Sequence, residues 1–255
     1  MGFFFLACTP RTGNVWFRRL LAGALRGTHL SAHQPDEIDW YGLQPPCIVA
    51  MHWHRLPAFR EFLAARQFDV IVMLRHPLDV LISILHFCQQ EPATAKWLGG
   101  EGGTEASLLG ANPAGPEFLQ YALSRRAHAL LGISAEWYSH ARAVVRYEEL
   151  VMETEETLMR TLASLGQEPI ESLTEVVRSN SLERLRPYGA HHFWRGEPGL
   201  WRRLIIPEFR RQIYERHREL FQLWGYDVAE ERDLSLSEAR LNWSTVCKPV
   251  ARRRE

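Results

Sequence analysis

Nine residues, Cys8-Thr9-Pro10-Arg11-Thr12-Gly13-Asn14-Val15-Trp16, constrain this chain more than any other segment. They lie between an apolar run, Phe3-Phe4-Phe5-Leu6-Ala7, and an amphipathic continuation, Phe17-Arg18-Arg19-Leu20-Leu21-Ala22. That order spells a buried strand, a tight turn and a helix. A strand-to-helix turn aims free backbone N–H groups and the positive end of a helix dipole at one point, a natural seat for a phosphate. The turn contains no Gly-Lys-Ser/Thr, so its phosphate chemistry differs from that of the kinase and ATPase loop.

The same alternation continues along the chain. Cys47-Ile48-Val49-Ala50-Met51 reads as a short buried strand ending in His52-Trp53-His54, and Leu56 to Ala65 as a helical run. Val70-Ile71-Val72-Met73-Leu74 has the unbroken β-branched and apolar character of a strand buried on both faces. Pro77 stands at a favourable first-turn position for the helix that follows. Ala143 to Arg146 reads as a fourth strand, with a helix after it through Leu158, Leu162 and Leu165 to Gly166. Phe209, Ile213, Leu220 and Trp224 fall on one face of a single late helix closed by Gly225. The stretch from Gly27 to Pro46 reads as irregular. The expected fold is therefore α/β, a doubly wound parallel sheet of four to five strands flanked by helices, with ligands at the carboxyl ends of the strands.

A chain of 255 residues with 46% apolar and 24% charged side chains is globular in composition. We expect one domain over residues 1–255, with insertions at about 27–46 and 89–116 and a basic tail at about 248–255. Thirty basic and thirty acidic residues cancel, which removes any global argument for nucleic acid or a membrane surface. An anion site must come from locally placed arginines. Cys8, Cys47, Cys88 and Cys247 show no paired spacing, which suits reduced thiols in a cytoplasm and gives no zinc signature. Phe3–Ala7 is too short for a membrane span and is expected as a first strand rather than a leader.

Three further segments bear chemistry. The strand Val70–Leu74 ends in Arg75, where a magnesium-using kinase usually delivers an aspartate; a guanidinium there binds phosphate directly and bidentately. Ser83 lies eight residues on, about two helical turns, and can face the same anion. Val144-Val145-Arg146-Tyr147-Glu148-Glu149-Leu150 is a strand running into an acidic helix start, and Tyr147 by itself reads equally well as core. Phe193-Trp194-Arg195-Gly196-Glu197-Pro198-Gly199-Leu200-Trp201-Arg202 reads as an aromatic-rich loop with two cations and three turn residues. His52 and His54, two positions apart on an extended chain, point the same way and are both candidates for a base.

These segments, in this order, resemble the cytosolic and bacterial sulfotransferases, which transfer a sulfuryl group from 3′-phosphoadenosine 5′-phosphosulfate (PAPS) to an acceptor. The loop of that family typically reads Pro-Lys/Arg-Ser/Thr-Gly-x-x-Trp, and the resemblance runs from Phe3 to about Tyr226. It implies that Thr12, Gly13, Asn14 and Val15 cradle the 5′-phosphosulfate and that Trp16 packs toward the adenine. It implies that Arg11 offsets charge on the bridging oxygen, and that Arg75 and Ser83 grip the 3′-phosphate. Tyr147 would lie near the adenine. Arg195 and Gly196 would belong to the loop that folds over the nucleotide, where Trp194 replaces a usual arginine and Leu200 an aspartate. His52 stands where the family has its catalytic histidine, although the usual Lys-Thr before it is Ala50-Met51 here.

The resemblance implies PAPS as co-substrate, 3′,5′-ADP as product and no metal. Partners would be a small-molecule or glycan acceptor, with no nucleic acid and no membrane span, and a homodimer is left open. The acceptor pocket is expected from residues 27–46 and 89–116 with Trp53, His54 and Trp97. His191 and His192 are secondary candidates for the base. A non-catalytic nucleotide-binding protein on the same fold, or a kinase with an unusual loop, are the alternatives.

Overall fold

The computed structural model describes residues 2–91, 105–188, 193–228 and 233–247. Trp97, His191, His192 and the 248–255 tail lie outside them. The chain forms two compact units: residues up to His76 with Ala129–Pro198, and Pro77–His128 with the residues from Gly199 onward.

The first unit holds a five-stranded sheet of order β2-β3-β1-β4-β5, parallel at every pairing. Its strands are β1 (Phe3–Cys8), β2 (Thr28–Ala32), β3 (Cys47–Met51), β4 (Phe68–Leu74) and β5 (Ala143–Arg146). Helix α1 (Asn14–Leu25) joins β1 to β2, and α2 (Pro57–Ala65) joins β3 to β4. The sheet matches the expected parallel fold, and its strand ends lie within a few residues of those read from the sequence.

Three local readings are corrected. The irregular Gly27–Pro46 stretch contains β2, an edge strand whose residues are partly or fully exposed, so it needs no unbroken apolar run. The helix expected after β5 is two, α6 (Tyr147–Met152) and α7 (Thr154–Ser164), parted at Glu153, which leaves helical dihedrals (φ −135°, ψ 59°). The single late helix is likewise two, described with the second unit below.

Burial follows the alternation of β1. Phe4, Leu6 and Cys8 pack with Phe17, Leu20 and Leu21 of α1 and Leu158 and Leu162 of α7. Phe5 faces the other way, onto Phe59 and Trp137 at ring-centroid distances of 5.3 and 5.2 Å. Each such side chain removed from water contributes about 1.5–3 kcal/mol. Helices α8 (Leu173–Ser179) and α9 (Leu182–Leu185) complete this unit.

In the second unit, α3 (Pro77–Gln90) is buried from Pro77 to Cys88. Helix α4 (Pro116–Ala122) precedes α5 (Arg125–Tyr138), whose residues from Ala129 onward belong to the first unit. Helices α10 (Pro207–Arg216) and α11 (Arg218–Trp224) are separated at His217, which turns out of helical geometry. The His217 ring is buried, with Nε2 2.7 Å from the Ala122 carbonyl, and this tertiary bond explains the break. Gly225 closes α11 in the left-handed conformation (φ 66°), as its sequence position implies. Helix α12 (Leu236–Val246) starts on a capping box formed by Ser235 and Glu238.

Candidate functional site

Parallel strands present all their carboxyl ends on one edge of the sheet. In the first unit that edge delivers Thr9–Gly13 after β1, His33 after β2, His52 after β3, Arg75 after β4 and Tyr147 after β5.

The loop after β1 has the form of an anion cradle. Arg11 (φ 67°) and Gly13 (φ 90°) are both left-handed, on either side of Thr12. This conformation turns successive N–H groups into a concavity. Gly13 is the residue before α1, and helix geometry leaves the first N–H groups of Asn14, Val15 and Trp16 without intrahelical acceptors. The Thr12 hydroxyl donates to the Thr9 carbonyl at 2.9 Å, closing the turn on itself. Thr12 and Asn14 are buried.

A second layer holds the loop. The Ser134 hydroxyl on α5 accepts from the Thr9 N–H at 2.8 Å and donates to the Met73 carbonyl at 2.8 Å. The Thr9 hydroxyl donates to the Leu131 carbonyl at 2.9 Å. The same helix fixes the exit of β3: Trp137 Nε1 donates to the Trp53 carbonyl at 2.9 Å, and Glu136 accepts from the Arg55 N–H at 2.9 Å. Sequence reasoning missed Ser134, Glu136 and Trp137, because nothing local marks them; they lie more than 80 residues from the segments they hold.

Arg75 is buried. Its Nη1 donates to the Arg11 carbonyl at 2.9 Å, and its guanidinium lies 4.2 Å from the Tyr147 ring centroid. Its Nε is buried without a hydrogen-bond partner. Tyr147 in turn lies against Gly13, where a Cβ would come within 2.5 Å of the ring. Gly13 is thus required twice, for its φ and for this close approach. On the other side, a Cβ at Gly196 (φ 72°) would stand 3.7 Å from the Tyr147 hydroxyl and 2.3 Å from Leu182. Arg195 beside it also buries an unpartnered Nε, while its Nη1 lies 3.8 Å from Glu197. Arg11, Gly13, Arg75, Tyr147 and Gly196 are therefore brought together. Trp16 is buried in the same core, its indole N–H donating to the Asn180 carbonyl at 2.9 Å. Ser83 is buried on α3 of the second unit. Asp79, on the same helix, accepts from the Gly199 and Trp201 N–H groups at 2.5 and 3.1 Å, organising the turn that follows.

The two candidate bases differ sharply. His54 is exposed and paired with Glu136 at 2.8 Å. His52 is partly buried, with Nδ1 2.7 Å from the Cys8 carbonyl. A carbonyl only accepts, so this contact holds the proton on Nδ1 and leaves the lone pair on Nε2. Burial pushes the His52 pKa down to about 4; the Cys8 carbonyl opposes this, and the charges of Arg11, His33 and Arg18 add to it. The imidazole is neutral at physiological pH. Cys8 stays a thiol, because burial raises it to about 12 against the opposing pull of Thr12 and Arg18.

Among the described residues, no group of three His, Cys, Asp or Glu side chains is placed to hold a metal ion. No described helix is long and apolar enough to cross a membrane.

No protein-family model matches the sequence, and no curated protein matches it. Solved structures do match. The chain superposes on mouse sulfotransferase SULT7A1, a structure complexed with PAP, with a TM-score of 0.63 at 18% identity, over 87% of this chain and 85% of that one. Retinol dehydratase, in complex with androsterone and the inactive cofactor PAP, matches with a TM-score of 0.57 at 13% identity, over 89% of this chain and 82% of the other. The likeness at these identities is one of fold: the chain has the α/β fold of the sulfotransferases.

Proposed function

We propose that this chain, built on the sulfotransferase fold, moves a sulfuryl group from PAPS to a hydroxyl of a small-molecule or glycoside acceptor and releases 3′,5′-ADP. One observation carries the reading. A buried arginine, Arg75, stands at the end of β4, stacked on Tyr147 and bonded to the anion loop, with Nε still lacking a partner. A buried cation without a carboxylate is costly unless an anion completes it. A phosphate supplies that anion, and the loop after β1 offers the N–H groups for a second one.

The residues divide the work as follows. The N–H groups of Thr12, Gly13, Asn14 and Val15 hold the 5′-phosphosulfate, and Arg75 with Arg195 serves the 3′-phosphate. Gly196 lets the following loop approach Tyr147. Trp16 and Tyr147 border the adenine. Arg11 offsets the charge that develops on the bridging oxygen as the nucleotide departs. His52 Nε2 takes the acceptor proton while the acceptor oxygen forms its bond to sulfur and the bond from sulfur to the bridging oxygen breaks.

Isothermal titration with 3′,5′-ADP and with ATP–Mg, followed by transfer of label from sulfur-labelled PAPS, tests the proposal. Saturable binding of 3′,5′-ADP in preference to ATP–Mg, with label reaching an acceptor, is the expected result. Preference for ATP–Mg would move the chain to phosphoryl transfer, and binding with no turnover of any acceptor would make it a nucleotide-binding protein.

A further inference from the structure

Helix α1 carries two cations that the chemistry above leaves unused. Arg18 buries Nε and Nη1 without hydrogen-bond partners, and Arg19 buries an unpartnered Nε. Among the described residues neither arginine has a carboxylate within ion-pair distance, whereas Arg26 at the end of the same helix pairs with Glu171. Arg18 follows Asn14 by one helical turn, on the flank of α1 that packs on β3 and β2.

The sheet register places histidines beside it. Ala32 pairs with Met51 and Met51 with Ala7, so His33, His52 and Cys8 follow side by side at the carboxyl ends of three adjacent strands. On β2, His29 and Ser31 share one face with His33, by the two-residue period of a strand. The charges of Arg18 and Arg19 hold the pKa of His29 below its ordinary value, after burial, which has the larger effect. Arg18 itself is lowered by burial first and then by Arg19, against the opposing influence of Cys8. Arg18 and Arg19 are therefore the cations of a surface between α1 and the exposed edge strand that His29, His33 and His52 border. Nothing in it requires a donor phosphate, because the anion loop and Arg75 lie on the β1 and β4 side.

We propose that Arg18 and Arg19 form the seat for an oxyanion carried by the acceptor, so that the substrate class is an anionic hydroxyl compound and not a neutral one. The inference rests on the sulfotransferase reading above. The oxyanion completes two half-buried arginines whose inner nitrogens no protein group completes, and it orients the acceptor hydroxyl toward His52 Nε2. Carboxylate, sulfate ester and phosphate ester share this chemistry.

Protein saturated with 3′,5′-ADP is titrated with para-hydroxybenzoate and, separately, with para-hydroxybenzamide, in wild type and in Arg18→Gln. Binding is followed by NMR of the histidine ring nitrogens, and sulfuryl transfer from labelled PAPS is measured for the same pair. The carboxylate is expected to perturb His29 and His52 and to bind at least about tenfold more tightly than the amide, ~1.4 kcal/mol. Arg18→Gln should abolish that preference while leaving 3′,5′-ADP affinity unchanged. Equal binding of the two probes in wild type, or a preference that survives Arg18→Gln, overturns the inference. A loss of 3′,5′-ADP affinity in Arg18→Gln overturns it too, since Arg18 would then serve the donor. Para-hydroxybenzyl phosphate and para-hydroxybenzyl sulfate, run in the same way, separate the oxyanion sources. Failure of wild type to bind 3′,5′-ADP at all is a different result and counts against the sulfotransferase reading itself.

Discussion

Arg75 stacks on Tyr147 with its guanidinium carbon 4.2 Å from the ring centroid, and that ring fills the space a side chain at Gly13 would need. One arginine is thereby coupled to the conformation of the anion loop through an aromatic ring as well as through its bond to the Arg11 carbonyl. On the proposed reading, the guanidinium that serves the 3′-phosphate thus also shapes the loop for the 5′-phosphosulfate.

The first prediction concerns that arginine. Arg75→Ala should weaken 3′,5′-ADP binding by about 2–4 kcal/mol, since it removes a charge-assisted bidentate partner. Adenosine 5′-phosphosulfate, which lacks the 3′-phosphate, should lose much less, and only through the slackened loop. Titration calorimetry with both nucleotides measures the difference; equal losses would assign Arg75 to the loop alone.

Gly13→Ala should destabilise the protein by roughly 1–3 kcal/mol through its left-handed φ and add a clash with Tyr147. The two costs separate in the double variant. Gly13→Ala in a Tyr147→Ala background should relieve the clash but keep the backbone strain, so the midpoint shift it causes there should be smaller than the shift it causes in wild type. An equal shift would mean that φ alone demands glycine.

Ser134→Ala strips the Thr9 N–H and the Met73 carbonyl of a buried partner. We expect a loss of about 1–3 kcal/mol in chemical denaturation, the range for buried groups left unsatisfied. Nucleotide affinity should fall with it, because Thr9 begins the loop. Ser134→Cys, which keeps the volume but bonds weakly, should lie between wild type and Ser134→Ala.

His52→Ala should lower kcat by about 10²–10⁴-fold with nucleotide affinity nearly unchanged. His54→Ala removes only an exposed pairing with Glu136 and should cost far less turnover. The acidic limb of kcat/KM should lie below the ordinary imidazole value of about 6.5, because the free group is held near 4. Bound phosphosulfate, being anionic, should move the limb upward in the kcat profile. A limb that persists in His52→Ala would place the base elsewhere.

Stability should depend on pH with a definite sign. Burial holds both His52 and His217 near 4, the latter helped by His128 and Arg216 and opposed by the Ala122 carbonyl. Between that value and the unfolded value of about 6.5, the unfolded chain binds more protons than the folded one. Stability is therefore fully present above about 6.5 and is lost as pH falls toward 4. Urea midpoints at several pH values check the slope, which should flatten in His217→Gln.

The sequence by itself determined the parallel sheet and the principal site segments. Continuous apolar runs such as Val70–Leu74 announce strands buried on both faces, and Pro-Arg-Thr-Gly announces a turn whose chemistry is local. An apolar run marks the strand and a bond between residues three apart closes the turn, so both survive in one dimension. The tertiary structure alone decided what surrounds them. The edge strand Thr28–Ala32 carries no buried run to mark it. The helix break at His217 exists because a carbonyl 95 residues away accepts from its ring. Ser134 reaches Thr9 across 125 residues, Tyr147 meets Gly13 across the sheet, and Arg18 is left without a carboxylate only because of what the fold does not bring near it. Partners fixed by packing leave no periodicity or motif in the chain, so only the folded molecule displays them.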